Sequence, residues 1–334
     1  MKADRRHLIC IKMEADLVAD LRYYLSNFRI LLVYCSHHMK AHKVKDNLFN
    51  TWLFKSILLM LLVLSISACG RVISNAKIEF SQDLSATILE FDDPETIKKG
   101  VPAYLILVSS MIKSDPENPA LLEAGAQLYG AYASSFTDTP ASKIALSNRA
   151  FDYASRAMCA RDTGFCNAKS FSYFEYEKLL AKVEKPDAEH LFIFASSWAG
   201  VIEANSSDWN AIAELPKVKA SIQRVLTLDE TVKNGNAHLY MAVMESLLPP
   251  SLGGKPELAK YHFDRAIEIS NGKNLMVKVL YAEKYARMLF DRELHDELLN
   301  QVMESDIGNK DQILINTLAK QQAQVLLANA DDYF

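Results

Sequence analysis

The sequence predicts an all-α protein in which degenerate helical hairpins stack into a superhelix. From residue 69 onward, apolar residues recur at intervals of three and four, which is the period of an amphipathic helix, and the alternation typical of strands is almost absent. Short clusters rich in proline, glycine, aspartate and asparagine interrupt this pattern every ten to twenty residues. Half of the 334 residues are apolar, which is enough to build a large buried core.

The first helix of this array is predicted to begin at Pro94. Asp92 and Asp93 supply an acidic cap, and proline suits the first helical position because an N–H group there has no partner within the helix. Further breaks between helices are expected at residues 114–119, 137–140, 248–254 and 271–272. Each break is short, so we expect successive helices to lie antiparallel.

Residues 254–270 carry the second-helix pattern of a tetratricopeptide repeat. Ala259 and Ala266 are small enough to let this helix approach its hairpin partner, and Phe263 fills the gap between neighbouring repeats. Two further segments fit the same scheme: residues 115–129, as a turn and first helix, and the small-residue stripe Ala150, Ala154 and Ala157. Stacked repeats of this kind form one continuous core and a concave surface that usually binds a partner. A plain helical bundle is the alternative.

A secretory leader is predicted before the helical array. Lysines at positions 40, 43, 45 and 55 precede an apolar run at 56–67, which is too short to span a bilayer as a permanent helix. The next residues end at Cys69 in a sequence that resembles the bacterial lipobox, whose cysteine is acylated after cleavage, and Gly70 is typical of outer-membrane lipoproteins. We therefore predict a misassigned start at 1–38, a leader at 39–68 and a lipid-anchored domain at 69–334. An ordinary signal peptide with Cys69 as a buried thiol is the alternative.

Two cysteines remain in the helical domain, Cys159 and Cys166. They enclose a short loop in which Gly164 is the flexible point. An oxidising compartment favours a disulfide between them, and two inert thiols are the other possibility. Metal binding would need further ligands that no nearby histidine supplies.

The charge distribution and the absence of catalytic motifs argue against several function classes. The first 68 residues hold ten basic and five acidic side chains, which leaves 27 basic and 36 acidic residues from Cys69 onward, so a nucleic-acid partner is not expected. The domain has no phosphate-binding loop and no nucleophile elbow. Its four histidines, at positions 190, 238, 262 and 295, are scattered in the sequence. We predict a binding protein rather than an enzyme, with no cofactor and no metal.

The helix expected to begin near Asn274 has two useful faces. At 100° per residue, Lys278, Tyr281, Tyr285 and Arg292 fall within one arc of about 80°, which would suit an amphiphile bearing a carboxylate. The opposing possibility is that both tyrosines pack on the next helix with their hydroxyl groups hydrogen-bonded. Trp198 and Trp209 are candidates either for the core or for the wall of a ligand pocket. Asp208 is a candidate cap for the helix around Trp209.

Long stretches of the chain resemble the TatT family, the periplasmic tetratricopeptide lipoproteins that are the T components of TRAP transporters. They are residues 102–105 (PAYL), 115–122 (DPENPALL), 197–209 (SWAGVIEANSSDW), 245–256 (ESLLPPSLGGKP), 274–287 (NLMVKVLYAEKYAR), 291–296 (DRELHD) and 330–334 (ADDYF). The resemblance runs from about residue 80 to the last residue.

Membership of this family would imply an all-α superhelix that assembles as a trimer with a central pore. It would also imply pairing with the extracytoplasmic substrate-binding subunit and a pocket for an apolar or amphiphilic ligand. The expected location is the periplasm, where the lipid anchor would hold the protein at the outer membrane. A runner-up function is that of an envelope-assembly scaffold whose helical repeats bind unfolded or membrane-protein segments.

Overall fold

The computed structural model describes residue 80, residues 83–308 and residues 310–334, all of which belong to one compact unit. These residues form helices joined by turns, and no strand occurs among them, so the prediction of an all-α fold is confirmed. The longer helices are α1 (Pro94–Ser114), α2 (Pro119–Ser135), α3 (Pro140–Arg161), α4 (Tyr173–Leu180), α5 (Ala188–Ala204), α6 (Leu215–Leu228), α7 (Asn236–Glu245), α8 (Pro256–Ile269), α9 (Leu275–Leu280), α10 (Arg292–Glu304) and α11 (Ile313–Ala328). A π-helical segment, Tyr281–Ala286, continues α9.

Proline at the first position and a polar cap before it define the starts of the first three helices. The predicted start of α1 at Pro94 is confirmed, and the Asp93 carboxylate accepts a hydrogen bond from the Glu95 backbone N–H group at 3.1 Å. Asn118 caps α2 and Thr139 caps α3 in the same way. Caps of this kind contribute about 0.5–2 kcal/mol each, so the local sequence sets where these helices begin.

Successive helices pack as hairpins whose close contacts depend on small residues. Helix α2 packs against α3, α7 against α8, and α10 against α11. At Gly125 in α2, a Cβ atom would lie 2.7 Å from Ile112 Cδ1 and 2.9 Å from Tyr153 Cδ2, so α1, α2 and α3 meet there only because the residue is glycine. Ala259 and Ala266 are likewise fully buried where α8 meets its neighbours, as the repeat pattern predicts.

Three apolar clusters follow one another along the array. The first lies among α1, α2 and α3, the second is centred on Trp198 of α5 and Ile222 of α6, and the third joins α7 to α11 around Phe263 and Leu299. Leu314, near the start of α11, belongs to the first cluster, so the last long helix also contacts the first part of the array. Stacking therefore buries a nearly continuous core through the described residues.

Candidate functional site

The two tyrosines singled out by their spacing lie inside the third apolar cluster. Tyr281 is only 3% exposed, and its ring stacks on Phe263 with centroids 4.5 Å apart and an interplanar angle of 7°. Tyr285 is also buried and meets Tyr281 edge to face, with ring centroids 5.2 Å apart. We call Phe263, Tyr281 and Tyr285 the aromatic cluster. Burial raises the pKa of Tyr281 to about 12, so its phenol stays neutral at physiological pH.

The prediction that one helical face runs from Lys278 to Arg292 is wrong. The segment Tyr281–Ala286 is π-helical, which changes the angular register, and the helix ends in a turn where Phe290 has a left-handed φ of 57°. Arg292 lies beyond this turn as the first residue of α10.

The two cations predicted to flank the tyrosines are engaged elsewhere. The Lys278 ammonium group donates to Gln301 Oε1 at 2.9 Å. The Arg292 guanidinium group lies 2.6 Å from a carboxylate oxygen of Asp331 and 3.3 Å from one of Asp296. Neither side chain has its charge directed at the aromatic cluster in the contacts that the structure shows.

A different cation lies at the edge of the aromatic cluster. Lys260 of α8 is beside the Tyr281 hydroxyl group and forms an ion pair of 2.7 Å with Asp264 one turn later. The hydrogen bond to Asp264 raises the pKa of Lys260 above its ordinary value, so this group stays charged. No sequence pattern indicates this pairing, because Lys260 and Tyr281 belong to different helical segments and meet only through packing.

The two tryptophans do not share a site. Trp198 is buried in the second cluster, where its ring stacks on Phe151 with centroids 5.3 Å apart, so it lies in the core. Trp209 is 83% exposed on a single helical turn, Trp209–Ile212, whose cap is Asp208 as the sequence suggested. Of the predicted aromatic contacts, only Trp209 is available to solvent.

Cys159 and Cys166 are joined at the end of α3. Their Cα atoms lie 4.5 Å apart, which is within the range that a disulfide requires, and the pair closes the turn leading to α4. Cys69 and the predicted leader at 39–68 lie outside the described residues.

The connection between α7 and α8 exposes apolar side chains on a tight turn. Leu247 is 54% exposed and Leu252 is 68% exposed, with Leu248 between them also exposed. A Cβ atom at Gly254 would lie 1.8 Å from the Leu248 carbonyl oxygen, so the turn closes tightly only because this residue is glycine. We call residues 246–254 the leucine-rich connection. Backbone hydrogen bonds within the connection define its shape, and its three leucine side chains are exposed to solvent.

Two histidines that are far apart in the sequence meet between α7 and α8. The Nδ1 atoms of His238 and His262 lie 2.8 Å apart, and His238 Nε2 lies 3.2 Å from a carboxylate oxygen of Glu230. The histidines are scattered in the sequence, as expected, but helical packing brings the rings of this pair together although they are 24 positions apart. Within the described part of the chain, no group of three or more His, Cys, Asp or Glu residues could hold a metal ion.

A cavity of about 290 Å³ has none of the predicted ligand contacts in its lining. It is lined by Gly272, Lys273, Leu275, Ser305, Asp306 and Gly308, at the turns that precede α9 and follow α10. Asn316 of α11 holds these two turns together, because its amide group donates to the carbonyl oxygens of Lys273 and Ile307.

The fold and these surfaces define an all-α helical-repeat protein, and none of the helices in the described residues is long and apolar enough to cross a membrane. The TRAP transporter T-component family matches residues 90–334. The match covers well over half of the chain, so the protein belongs to this family, whose members are accessory components of TRAP transporters. No curated protein matches the chain.

Proposed function

We propose that this protein is a lipid-anchored periplasmic T component that binds the substrate-binding subunit of a TRAP transporter and catalyses no reaction. The observation that carries the proposal is the family match over residues 90–334, which covers nearly all of the folded array. The predicted leader at 39–68 and the acyl site at Cys69 would place this array at the outer membrane, facing the periplasm. By the same resemblance, we propose that the protein assembles as a homotrimer.

The leucine-rich connection is the docking surface that we propose for the substrate-binding subunit. Its three leucines are exposed beside a tight turn in which the Leu252 and Gly254 N–H groups both donate to the Pro249 carbonyl oxygen. A turn that is already hydrogen-bonded favours binding, because less backbone has to be ordered when a partner covers the leucines. Leu258 and Tyr261, in the first turns of α8 directly after this connection, are also exposed. Exposed apolar groups of this kind are typical of protein-interaction sites.

The second part of the proposal is a small apolar or amphiphilic ligand held at the aromatic cluster. Phe263 and Tyr281 are in direct contact, so a ligand would enter from the side of Tyr285, and Lys260 would meet its acidic group. Lys260 thus takes the role that the sequence assigned to Lys278 and Arg292. Trp198 would support the neighbouring helices from the core, and exposed Trp209 would contribute to a separate surface.

Binding of the substrate-binding subunit tests the docking proposal. The purified domain and the TRAP substrate-binding subunit of the same organism should form a complex that is measurable by calorimetry. Replacing Leu248 and Leu252 with serine should weaken the complex at least about tenfold, which corresponds to about 1.4 kcal/mol. Ile106→Ser is the matched control, because Ile106 of α1 is equally exposed but lies on another helix.

Two results would contradict this assignment. Equal loss of affinity in Ile106→Ser would show that the serine substitutions act through general surface polarity and not through the leucine-rich connection. Absence of any complex at micromolar concentrations would remove the transporter partner and favour the envelope-assembly scaffold. Unfolded or membrane-protein segments would then be the ligands to test.

A further inference from the structure

The His238–His262 pair is a cluster of buried titratable side chains that the proposed function does not use. His238 lies in the first turn of α7 and His262 in the middle of α8, and their side chains are 3% and 8% exposed. The 2.8 Å between their Nδ1 atoms is a hydrogen-bond distance. The pair therefore links the two helices that flank the leucine-rich connection.

The contact between the two Nδ1 atoms requires one proton and excludes a second. His238 directs Nε2 at the carboxylate of Glu230, so that nitrogen carries a proton and donates it. The neutral His238 ring then accepts at Nδ1, and His262 donates its Nδ1 proton to it. These assignments follow from the hydrogen-bond partners. A proton on both Nδ1 atoms would place two N–H groups face to face and break the contact.

Charged groups surround the pair on both sides. Glu230 is held by two hydrogen bonds from Arg265, at 2.6 and 3.0 Å, and these lower the pKa of Glu230 to about 2. On the side of His262, Lys219 of α6 and Glu245 of α7 form an ion pair of 2.7 Å. Arg265 therefore already neutralises Glu230, and Lys219 already neutralises Glu245. Neither carboxylate is left to compensate a second positive charge on the histidine pair.

Tyr261 and the turn before α7 complete the surroundings. The Tyr261 ring packs edge-on against both histidine rings, with centroids 6.2 Å from His238 and 5.1 Å from His262. Before α7, Lys233, Asn234 and Gly235 are all left-handed, with φ values of 49°, 56° and 83°. Left-handed conformations are strained for the two residues that are not glycine, so the start of α7 is held in place by its packing.

We propose that the His238–His262 pair is a proton-operated latch that holds α7 against α8 at neutral pH and releases this hairpin in acid. The first added proton binds His262 Nε2 and leaves the shared proton in place. The second would have to bind His238 Nδ1, and this ends the contact between the rings. The latch concerns only the packing of α7 on α8 and does not depend on the partner proposed above.

The direction of the pH effect follows from the burial of the two rings. Burial lowers the pKa of both histidines, and at His262 the neighbouring His238 adds to this effect, so that the pKa of His262 falls to about 4. The released hairpin would expose histidines with a pKa near their ordinary value of about 6.5, so it binds more protons in acid than the closed hairpin does. The stability of the closed hairpin is therefore full above about pH 6.5 and is lost as the pH falls towards 4.

Hydrogen exchange at pH 7.5 and 5.0, corrected for intrinsic exchange rates, tests the latch on the whole domain. In the wild type, protection of residues 236–269 should fall at least about tenfold at pH 5.0 relative to helices α2 and α3. In His262→Asn, the amide group can still donate to His238 but cannot take a proton, so only His238 still titrates and the pH dependence should become markedly smaller. His190→Asn is the matched control, since it removes a histidine of α5 outside the pair.

Equal protection of the wild-type hairpin at both pH values would overturn the proposal, and so would an unchanged pH response in His262→Asn. A second measurement needs no variant. In nuclear magnetic resonance titrations of the wild type, the rings of His238 and His262 should protonate in two separated steps below pH 6. Independent titration of both rings near pH 6.5 would refute the shared proton.

Discussion

Replacing Tyr281 with alanine distinguishes a structural tyrosine from a ligand contact. The side chain is 3% exposed, and its ring stacks on Phe263 at 4.5 Å, so truncation would leave a cavity between α8 and the π-helical segment. Truncation of a buried aromatic side chain to alanine typically lowers the free energy of unfolding by about 3–5 kcal/mol. We expect a loss in this range. Tyr281→Phe retains the stacked ring and should retain most of the stability.

Chemical denaturation followed by far-ultraviolet circular dichroism at pH 7.5 measures this loss as a shift in midpoint at unchanged slope. Trp209→Ala is the control, because it removes a larger side chain that is 83% exposed, and its effect should stay within about 0.5 kcal/mol. A loss below about 1 kcal/mol for Tyr281→Ala would mean that the ring does not carry core packing. Tyr281 would then become a stronger candidate for direct ligand contact than the stacked geometry suggests.

Two further predictions concern the cysteines. Thiol titration of the unreduced domain should find neither Cys159 nor Cys166 free, and reduction should lower the free energy of unfolding by about 2–3 kcal/mol because the closed loop is short; two free thiols in protein from the periplasm would disprove the bridge. Cys69→Ala should abolish acylation and release the protein from the membrane fraction, as followed by detergent partitioning, and continued partitioning of the variant into detergent would show that the anchor lies elsewhere.

The local elements of this fold could be predicted from short-range signals. Pro94 follows an aspartate cap, and Ala259, Phe263 and Ala266 recur at repeat spacing, so the start of α1 and the buried face of α8 were both anticipated. Capping and amphipathic periodicity both depend on residues that lie within a few positions of one another in the sequence. Tertiary packing in this fold agrees with these local preferences.

The candidate site depended on contacts between residues that are far apart in the sequence. The π-helical segment shifted the angular register, and the turn at Phe290 moved Arg292 onto another helix, so a regular rotation of 100° per residue misplaced it. Lys260 replaced the predicted cations at the aromatic cluster because α8 packs on that segment. No spacing along one helix could have indicated this neighbour.

The sequence alone determined the all-α class, the helix starts, the small-residue stripes and the family resemblance. Each of these features depends on residues that are close together in the chain. Tertiary structure decided which polar groups meet. His238 and His262 lie 24 positions apart in the sequence, on opposite sides of a turn, yet their rings share a hydrogen bond. Such a pair forms only when two helices pack at one particular register, and that register is set by the shapes of all the side chains between them.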